Sequence, residues 1–400
     1  MGRVTPVRRA GTRLAAAEPA SGDEVLPPEA WAAALASLPG MGPARLATVL
    51  RTFASADVWR EIRAGTLLDD RCFPLELGRH GRDLLRAWRE VAVALDVSDL
   101  WSRYAASGVG VAALGSAAFP AALATDIEPP GVLFMAGDPD VIAGPRVGIV
   151  GTRRCTRYGR EVAYDLGRDL AAAGVGVVSG LAIGIDGAAH AGALAAGEGV
   201  APPIAVVGSG LDVVYPPRHA VLWRRVREAG VVLSEAPLGA APEPWRFPAR
   251  NRLIAALADV IVVVESHERG GSMHTVAEAA RRDRVVLAVP GPVRSAASSG
   301  TNRLLSEGAG PACDVGDVLV ALGLSPGGQR RSAERRSSPD ADDAAILDAV
   351  GWQPASLEQL VVRTGLPLPR LSLTVARLEA RGWLARQGAW YERVVRDGQR

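Results

Sequence analysis

A glycine-led turn that carries two adjacent arginines is the feature of this sequence whose chemistry is most easily interpreted. The apolar run Val147–Val150 predicts a buried strand, and Gly151, Thr152 and Arg153 follow it before a helix is predicted to begin. A turn from a strand into a helix directs backbone N–H groups and the positive end of the helix dipole at one point. Guanidinium groups bind phosphate oxygens in pairs. The segment therefore predicts a site for a phosphate group.

Glycine- and serine-rich segments follow three more predicted strands. In an open parallel sheet the carboxyl ends of the strands lie along one edge, where ligands bind. Glycines at that edge let a ligand come close to the main chain. One such segment is weak support, because turns of this kind often contain glycine, but several along one edge indicate an extended anionic ligand. The candidate contacts are Ser179, Gly180, Gly208, Ser209, Gly210, Gly271 and Ser272.

The hexapeptide FPARNR predicts a second basic element, in a proline-rich loop just before an apolar helix. Arg250, Asn251 and Arg252 are able to grip a phosphate or a base edge, and Trp245 and Phe247 lie beside them in the sequence for stacking. The alternative is that the two arginines only form ion pairs with acids elsewhere in the chain. The acids considered for such pairs are Glu235 and Glu265.

Few arrangements in the sequence are suited to catalysis. Asp186 and His190 stand four residues apart, so a helix would place them on one face, and Asp212 or Glu265 would complete an acid–base or metal site. In the alternative, Asp186 caps the helix and His190 packs or binds the ligand. The patterns G-x-S-x-G and H-E-x-x-H and a cysteine-nucleophile arrangement do not occur in the sequence. We therefore expect no catalytic residue and no metal ion.

Sequence patterns for nucleotide cofactors do not occur either. The sequence has no lysine, and all 45 of its basic residues are arginine, so a Walker-type phosphate loop is excluded. The first turn does not have the form G-x-G-x-x-G, and no acidic residue suited to a ribose follows the second predicted strand. We expect no cofactor, and arginine must make any contact with phosphate.

Bulk composition excludes some classes of protein. The formal net charge is +2, which argues neither for nor against nucleic acid. No apolar run long enough to span a bilayer occurs, and the basic N-terminus lacks the apolar segment of a secretory signal. Cys72, Cys155 and Cys313 form no paired motif, which is typical of free thiols in a reducing compartment. We expect a cytoplasmic protein with no membrane partner.

Composition and hydrophobic spacing divide the chain into five segments. Residues 1–27 predict a disordered tail, and 28–105 a small helical domain. Residues 106–322 alternate Val/Ile-rich strands with helices, which predicts a doubly wound, mostly parallel, Rossmann-like α/β domain. Residues 323–340 predict a linker, and 341–396, with three helices and a hairpin, predict a winged helix.

One segment of the helical domain is a candidate DNA contact. The stretch Leu38–Leu46, with the sequence LPGMGPARL, resembles the turn of a helix-hairpin-helix motif, in which glycine amides meet a DNA phosphate. The alternative is an ordinary tight turn between two helices.

Taken together, these motifs resemble those of the bacterial DNA-processing protein DprA (Smf) family. The resemblance covers about half of the chain, and the ordered set of motifs is highly specific. Thr152 stands where the family usually has serine, and Met273–Val276 replaces a common Leu-Ile-Thr-Ala. The matching segments are VGIVGTRRCTRYG, SGLAIGID, GSGLDVVYP, FPARNR, GSMHTVAEA, AVPG and GTNRLLSEGA.

The resemblance implies an extended Rossmann domain that binds single-stranded DNA and has no catalytic activity. It implies that the protein protects incoming strands and loads the RecA recombinase in natural transformation, and that it works as a homodimer. A SAM-like or helix-hairpin-helix domain and a winged helix would flank the Rossmann domain. The residues that the resemblance places at the DNA are Gly151, Thr152, Arg153, Ser179, Gly180, Gly208, Ser209, Gly210, Arg250, Asn251, Arg252, Gly271 and Ser272.

Two other functions stay open at this point. Nucleotide phosphoribohydrolases of the lysine-decarboxylase-like family have a related fold, although their signature P-G-G-x-G-T-x-x-E is not found and Gly270–Ser272 with Glu278 is only a distant echo of it. The other is a winged-helix regulator of duplex DNA, for which the third helix of that domain offers Arg370, Arg377 and Arg381.

Overall fold

Two units make up the protein in the computed structural model, which describes residues 26–68, 80–197, 199–324, 341–351 and 354–393. The division falls after Ser325, and each unit is described by itself. Nearly all of the predicted tail, most of the predicted linker and the last residues of the predicted winged helix lie outside the described residues.

A single sheet runs through the larger unit. Its strands are β1 Gly110–Ala113, β2 Val132–Gly137, β3 Arg146–Val150, β4 Gly176–Ser179, β5 Ile204–Val206, β6 Val231–Ser234, β7 Val260–Val263, β8 Val285–Ala288 and β9 Gly310–Pro311. Their order across the sheet is β1-β2-β6-β5-β4-β3-β7-β8-β9. The seven strands from β3 to β9 pair in parallel, whereas β1 and β2 are antiparallel. The sheet is therefore mostly parallel, as predicted.

Helices cover both faces of this sheet, because apolar side chains point alternately to its two sides. The helices are α1 Pro28–Ala36, α2 Pro43–Thr52, α3 Ser55–Ala64, α4 Gly81–Ala94, α5 Val97–Ala106, α6 Ala121–Ala124, α7 Arg157–Ala172, α8 Ile185–Ala195, α9 Ala220–Ala229, α10 Arg246–Leu257, α11 Ser272–Ala280, α12 Ser299–Ser306 and α13 Val315–Ala321. In β3, Val147 and Ile149 enter a core with α7, α8 and α13, and Val150 enters the opposite core with α6, α10, α11 and α12.

The N-terminal helices α1 to α5 pack onto the β1–β2 end of the sheet. Leu35 of α1 and Trp88 of α4 lie in one hydrophobic cluster with Phe134 of β2. Trp88 Nε1 donates a hydrogen bond to the Pro39 carbonyl oxygen at 2.7 Å. Tyr104 stacks on Phe134 with ring centroids 5.3 Å apart. These helices therefore share a core with the sheet.

The described residues of the smaller unit form three helices and a three-stranded antiparallel sheet. Ser356 and Gln359 form a capping box. Leu371, Val375 and Leu378 of the third helix are buried. The elements are α14 Ala341–Val350, β10 Ala355–Ser356, α15 Leu357–Thr364, α16 Leu368–Ala380, β11 Leu384–Gln387 and β12 Trp390–Arg393, with the strand order β10-β12-β11.

The hexapeptide FPARNR is helical, so the prediction of a loop at this place is wrong. It forms the first turns of α10, which begins at Arg246. Pro248 is compatible with this position, because the first N–H groups of a helix have no partner within the helix. Arg250 and Arg252 consequently project from a helix that packs on the sheet.

Candidate functional site

An open cleft lies at the carboxyl edge of the sheet, where β3, β4 and β5 end. Arg153 reaches it from the turn after β3, Gly180 from the segment after β4 and Gly208 from the segment after β5. Arg250 reaches it from α10. Four of the predicted segments thus meet at one place, as expected for parallel strands. The other lining residues are Ala182, Ile183, Val207, Ser209, Tyr215, Pro216 and Phe247.

One wall of this cleft is aromatic. The guanidinium carbon of Arg153 lies 4.8 Å from the centroid of the Phe247 ring, which is a cation–π distance. The Tyr215 and Phe247 rings are 5.5 Å apart and inclined by 40°. Because Arg153 is exposed, the wall presents a guanidinium beside two rings at an open surface. Such a wall can take both a phosphate and a base.

A buried guanidinium forms the floor of the cleft. Arg250 is 6% exposed, its Nη2 donates to the Gly180 carbonyl oxygen at 3.1 Å, and its Nε has no hydrogen-bond partner among the described residues. Burial lowers the pKa of Arg250, the Asp186 carboxylate opposes that shift, and the charge of Arg153 adds to it. Burial in turn raises the pKa of Asp186. The positive charge of Arg153 and Arg250 is only partly balanced by Asp186. A bound anion would supply the missing negative charge.

Residue 180 must be glycine because Arg250 lies against it. A Cβ atom there would be 1.7 Å from Arg250 Nη1 and 2.1 Å from Nη2. The glycine that the sequence offered as a point of ligand approach therefore serves to seat the guanidinium.

The N-terminus of α7, predicted to be open for a phosphate, is filled by a carboxylate of the protein itself. Glu265 is 1% exposed and follows β7, the neighbour of β3 in the sheet. Its Oε2 accepts a hydrogen bond from Thr156 N at 2.8 Å, and its Oε1 accepts one from Thr156 Oγ1 at 2.6 Å. Its backbone oxygen accepts from Thr152 N at 2.7 Å. The side chain of Arg153, and not the helix end, is left to meet a ligand.

Three predicted serine hydroxyls form hydrogen bonds inside the protein. They shape the loops at the edge of the sheet, and one of these residues, Ser209, also lines the cleft. The bonds run from Ser179 to Ile149 O at 2.6 Å, from Ser209 to Val213 O at 2.8 Å and from Ser272 to Ser266 Oγ at 2.8 Å.

Arg252 does not reach the cleft, although it is only two residues from Arg250. Its guanidinium forms an ion pair with Glu235 and donates to the Glu128 carbonyl oxygen at 2.7 Å. The alternative of an ion pair with an acid therefore describes Arg252 and not Arg250. The predicted site residues outside the cleft lining are Gly151, Thr152, Ser179, Gly210, Asn251, Arg252, Gly271 and Ser272.

Asp186 and His190 do not form an acid–base site. His190 is fully buried, and its Nε2 lies 3.2 Å from the Ile204 carbonyl oxygen, so that nitrogen carries the hydrogen. Burial lowers the pKa of His190 to about 4, and the nearby charge of Arg250 adds to this effect. Glu265, a proposed third member, is engaged at α7. Among the residues that the structure describes, no group of three or more His, Cys, Asp or Glu is placed to hold a metal ion.

Tyr215 and Pro216 line the cleft, although the sequence did not single them out as site residues. They belong to the quoted segment GSGLDVVYP, whose glycines and serine attracted attention first. The available signal was an aromatic residue within a glycine-rich loop at the ligand edge.

The arginines of α16 in the smaller unit face an acid. Asp343 is 1% exposed and accepts hydrogen bonds from Arg377 Nη2 at 2.6 Å and from Arg381 Nη1 at 3.2 Å. Two of the three arginines proposed for duplex DNA thus stabilise the unit itself.

The fold and the cleft define a class: a Rossmann-like protein whose ligand edge carries an arginine-and-aromatic surface. The chain belongs to the family of DNA recombination-mediator protein A, whose model matches residues 110–323, more than half of the chain. The model of the DprA winged helix domain matches residues 330–389. No helix in the described part of the chain is long and apolar enough to cross a membrane.

Known proteins from several bacteria are similar to this chain. A Mycobacterium tuberculosis protein assigned as DNA processing protein DprA is 39% identical over 65% of this chain and 67% of its own length. Protein Smf of Escherichia coli is 34% identical over 70% of this chain and 75% of its own. The X-ray structure of DprA from Streptococcus pneumoniae is 29% identical, covers 65% of this chain and 97% of its own, and superposes with a TM-score of 0.53.

Proposed function

We propose that the cleft binds single-stranded DNA and that the protein performs no chemistry on it. The observation that carries this proposal is the combination of Arg250, buried with an unpartnered Nε, and the exposed Arg153 stacked on Phe247. Arginine side chains attract the phosphates of a strand whatever its sequence, and aromatic rings stack on any base. Membership of the recombination-mediator family supports the same ligand.

A single strand suits this cleft better than a duplex does. Phe247 and Tyr215 are able to contact the face of a base only if that face is free, and in a duplex the bases cover one another. A winged-helix role on duplex DNA has less support, because Arg377 and Arg381 already bind Asp343.

The test is a pair of variants in one turn. Arg153→Ala removes the guanidinium over Phe247, and Arg154→Ala removes the charge of another exposed arginine, one that does not line the cleft. We expect fluorescence anisotropy with an oligothymidylate to show about tenfold weaker binding for Arg153→Ala, since a charge-assisted contact contributes about 1.5–3 kcal/mol. Arg154→Ala should change the affinity less than twofold. Equal effects of the two substitutions would contradict the assignment of the cleft.

The proposal that the protein has no hydrolase activity can be tested with nucleoside monophosphates. Incubation of the protein with AMP or CMP should release no free base above the rate without protein. Robust release would favour the phosphoribohydrolase alternative and overturn the proposal.

The family resemblance extends the proposal to partners. We infer that the protein acts in the cytoplasm as a homodimer, protects incoming single strands from nucleases and loads RecA on them. Sedimentation should give twice the chain mass. RecA assembly on strands pre-coated with a single-strand-binding protein should start sooner when this protein is added. Arg153→Ala should remove that acceleration, because the contact with DNA comes first.

A further inference from the structure

A second cleft adjoins the first and shares three of its residues. Val207, Gly208 and Arg250 line both clefts, so the two are continuous at the buried guanidinium. The second cleft runs from the edge of the sheet to the N-terminus of α2, where Pro43 lines it. Trp245 lines it as well. The sheet and the N-terminal helices therefore contribute to one surface.

An exposed tryptophan covered by an arginine forms one side of the second cleft. Trp245 is 46% exposed, and the guanidinium carbon of Arg246 lies 4.6 Å from its ring centroid. Arg246 Nε is buried and has no partner among the described residues. This pair repeats the arrangement of Arg153 on Phe247 in the first cleft. Each of the two clefts that share Arg250 thus carries one arginine–aromatic pair.

The acid that lines the second cleft has an arginine partner. Glu235 lines the cleft, but its carboxylate forms an ion pair with Arg252. The remaining charged side chains in the lining are Arg246 and Arg250.

The helix-hairpin-helix-like turn Leu38–Leu46 lies at the far end of this cleft. Its Gly40 has a φ of 66°, and Gly42 precedes α2 with no side chain capping the helix. The N–H groups of the first turn of a helix lack partners within the helix, and the dipole favours an anion there. The buried, partly unpartnered Arg250 at the other end of the same cleft is an independent sign of an anionic ligand.

We propose that the second cleft is a further subsite for the same polynucleotide, in which a base stacks at Trp245 and Arg246 and the next phosphate approaches the start of α2. This rests on the proposed function, because it extends the strand that the first cleft holds. The N-terminal helices thereby become part of the DNA track.

A ladder of oligothymidylates from three to twelve nucleotides tests this proposal by fluorescence anisotropy. The wild-type protein should gain affinity in one step, about fivefold or more, at the length that first reaches Trp245, because stacking of one base on an aromatic ring contributes about 1–3 kcal/mol. Trp245→Ala should lose that step and bind the shortest oligonucleotides like the wild type. Trp245→Phe should keep most of it. Tyr164→Ala, at an aromatic residue 37% exposed outside both clefts, is the control and should keep the full step.

A single abasic nucleotide gives a second readout. Placed at the position that produces the step, it should weaken binding by the wild type and leave Trp245→Ala unaffected. A step of unchanged size in Trp245→Ala, or no step in the wild type, would overturn the second subsite. If Arg153→Ala also binds every length like the wild type, the proposed function itself fails, and the two failures are thereby distinguished.

Discussion

Arginines occur in both units of this protein, but they have different surroundings. In the cleft of the larger unit, Arg250 is buried with a carbonyl oxygen as its hydrogen-bond acceptor, and Arg153 stacks on a ring. In the smaller unit, Arg377 and Arg381 converge on one buried carboxylate, that of Asp343. The first arrangement leaves positive charge for a ligand, whereas the second consumes it within the fold. The number of arginines in a segment is therefore a poor guide to nucleic-acid binding. Whether an arginine can bind a phosphate depends on the partners that it already has within the protein.

The largest effect we expect concerns protonation of His190, a buried residue whose pKa is lowered by burial and by the charge of Arg250. The pKa of His190 is about 4 in the folded protein and about 6.5 when unfolded, so below pH 6.5 the unfolded state binds a proton that the folded state does not. Stability from this group is present above pH 6.5 and is lost as the pH falls to about 4, by about 3 kcal/mol. Urea unfolding at pH 7, 5.5 and 4.5 should show this loss in the wild type relative to His190→Gln. Parallel pH profiles of the two proteins would refute the expectation.

The next effect tests whether the position of the Arg250 guanidinium against Gly180 matters for DNA binding. Gly180→Ala would place a Cβ on the guanidinium and displace it, so we expect about thirtyfold weaker binding of single-stranded DNA, or about 2 kcal/mol. Gly271→Ala is the matched control, since no atom lies within 4 Å of its Cβ position. Fluorescence anisotropy measures both. If Gly180→Ala binds DNA with unaltered affinity, the claim that the arginines of the larger unit serve a ligand, unlike those of the smaller unit, is wrong.

At the paired arginines of the smaller unit, we expect a substitution to change stability and leave the affinity for DNA unchanged. Asp343→Asn leaves Arg377 and Arg381 without their counter-charge and should destabilise the smaller unit by about 2 kcal/mol, less than a fully buried pair, because both arginines are partly exposed. Amide exchange in α16 should accelerate accordingly. Asp348→Asn, at an exposed position on α14, the helix that carries Asp343, should not accelerate it. Affinity for single-stranded DNA should stay within twofold of the wild type in both variants.

The smallest effect lies in the salt dependence of binding. One phosphate contact on a single strand contributes about 0.7 to the slope of log affinity against log salt concentration. Arg153→Ala should lower the magnitude of that slope by about this amount, and Arg381→Ala should leave it unchanged. A titration at four salt concentrations resolves the difference, and equal slopes in the two variants would remove the distinction between the units.

Periodicity predicted the central fold well, because strands buried on both faces are continuous Val/Ile runs. The strand predicted at Val147–Val150 corresponds to β3, which begins one residue earlier, at Arg146. β1 and β9 were not predicted, since four- and two-residue strands at the ends of a sheet carry too little pattern. Pro248 made an early helical turn look like a loop.

Sequence position predicted that several of the candidate residues would converge, but not which partners each side chain would take. Sequence position placed Arg153, Gly180, Gly208 and Arg250 at one edge, and the structure brings them into one cleft. Glu235 was considered as an ion-pair partner, but the sequence could not decide that Arg252 pairs with it and Arg250 does not. Partners at such separations along the chain are set by tertiary packing, and one sequence does not record them.

Glu265 has a consequence for how the protein responds to its surroundings. The carboxylate that lies at the start of α7 is attached to the end of β7, so the fold and not the solution sets its local concentration there. In dinucleotide-binding proteins of Rossmann architecture the pyrophosphate sits at the corresponding helix end. In this protein a nucleotide phosphate would have to displace Glu265 to occupy that position.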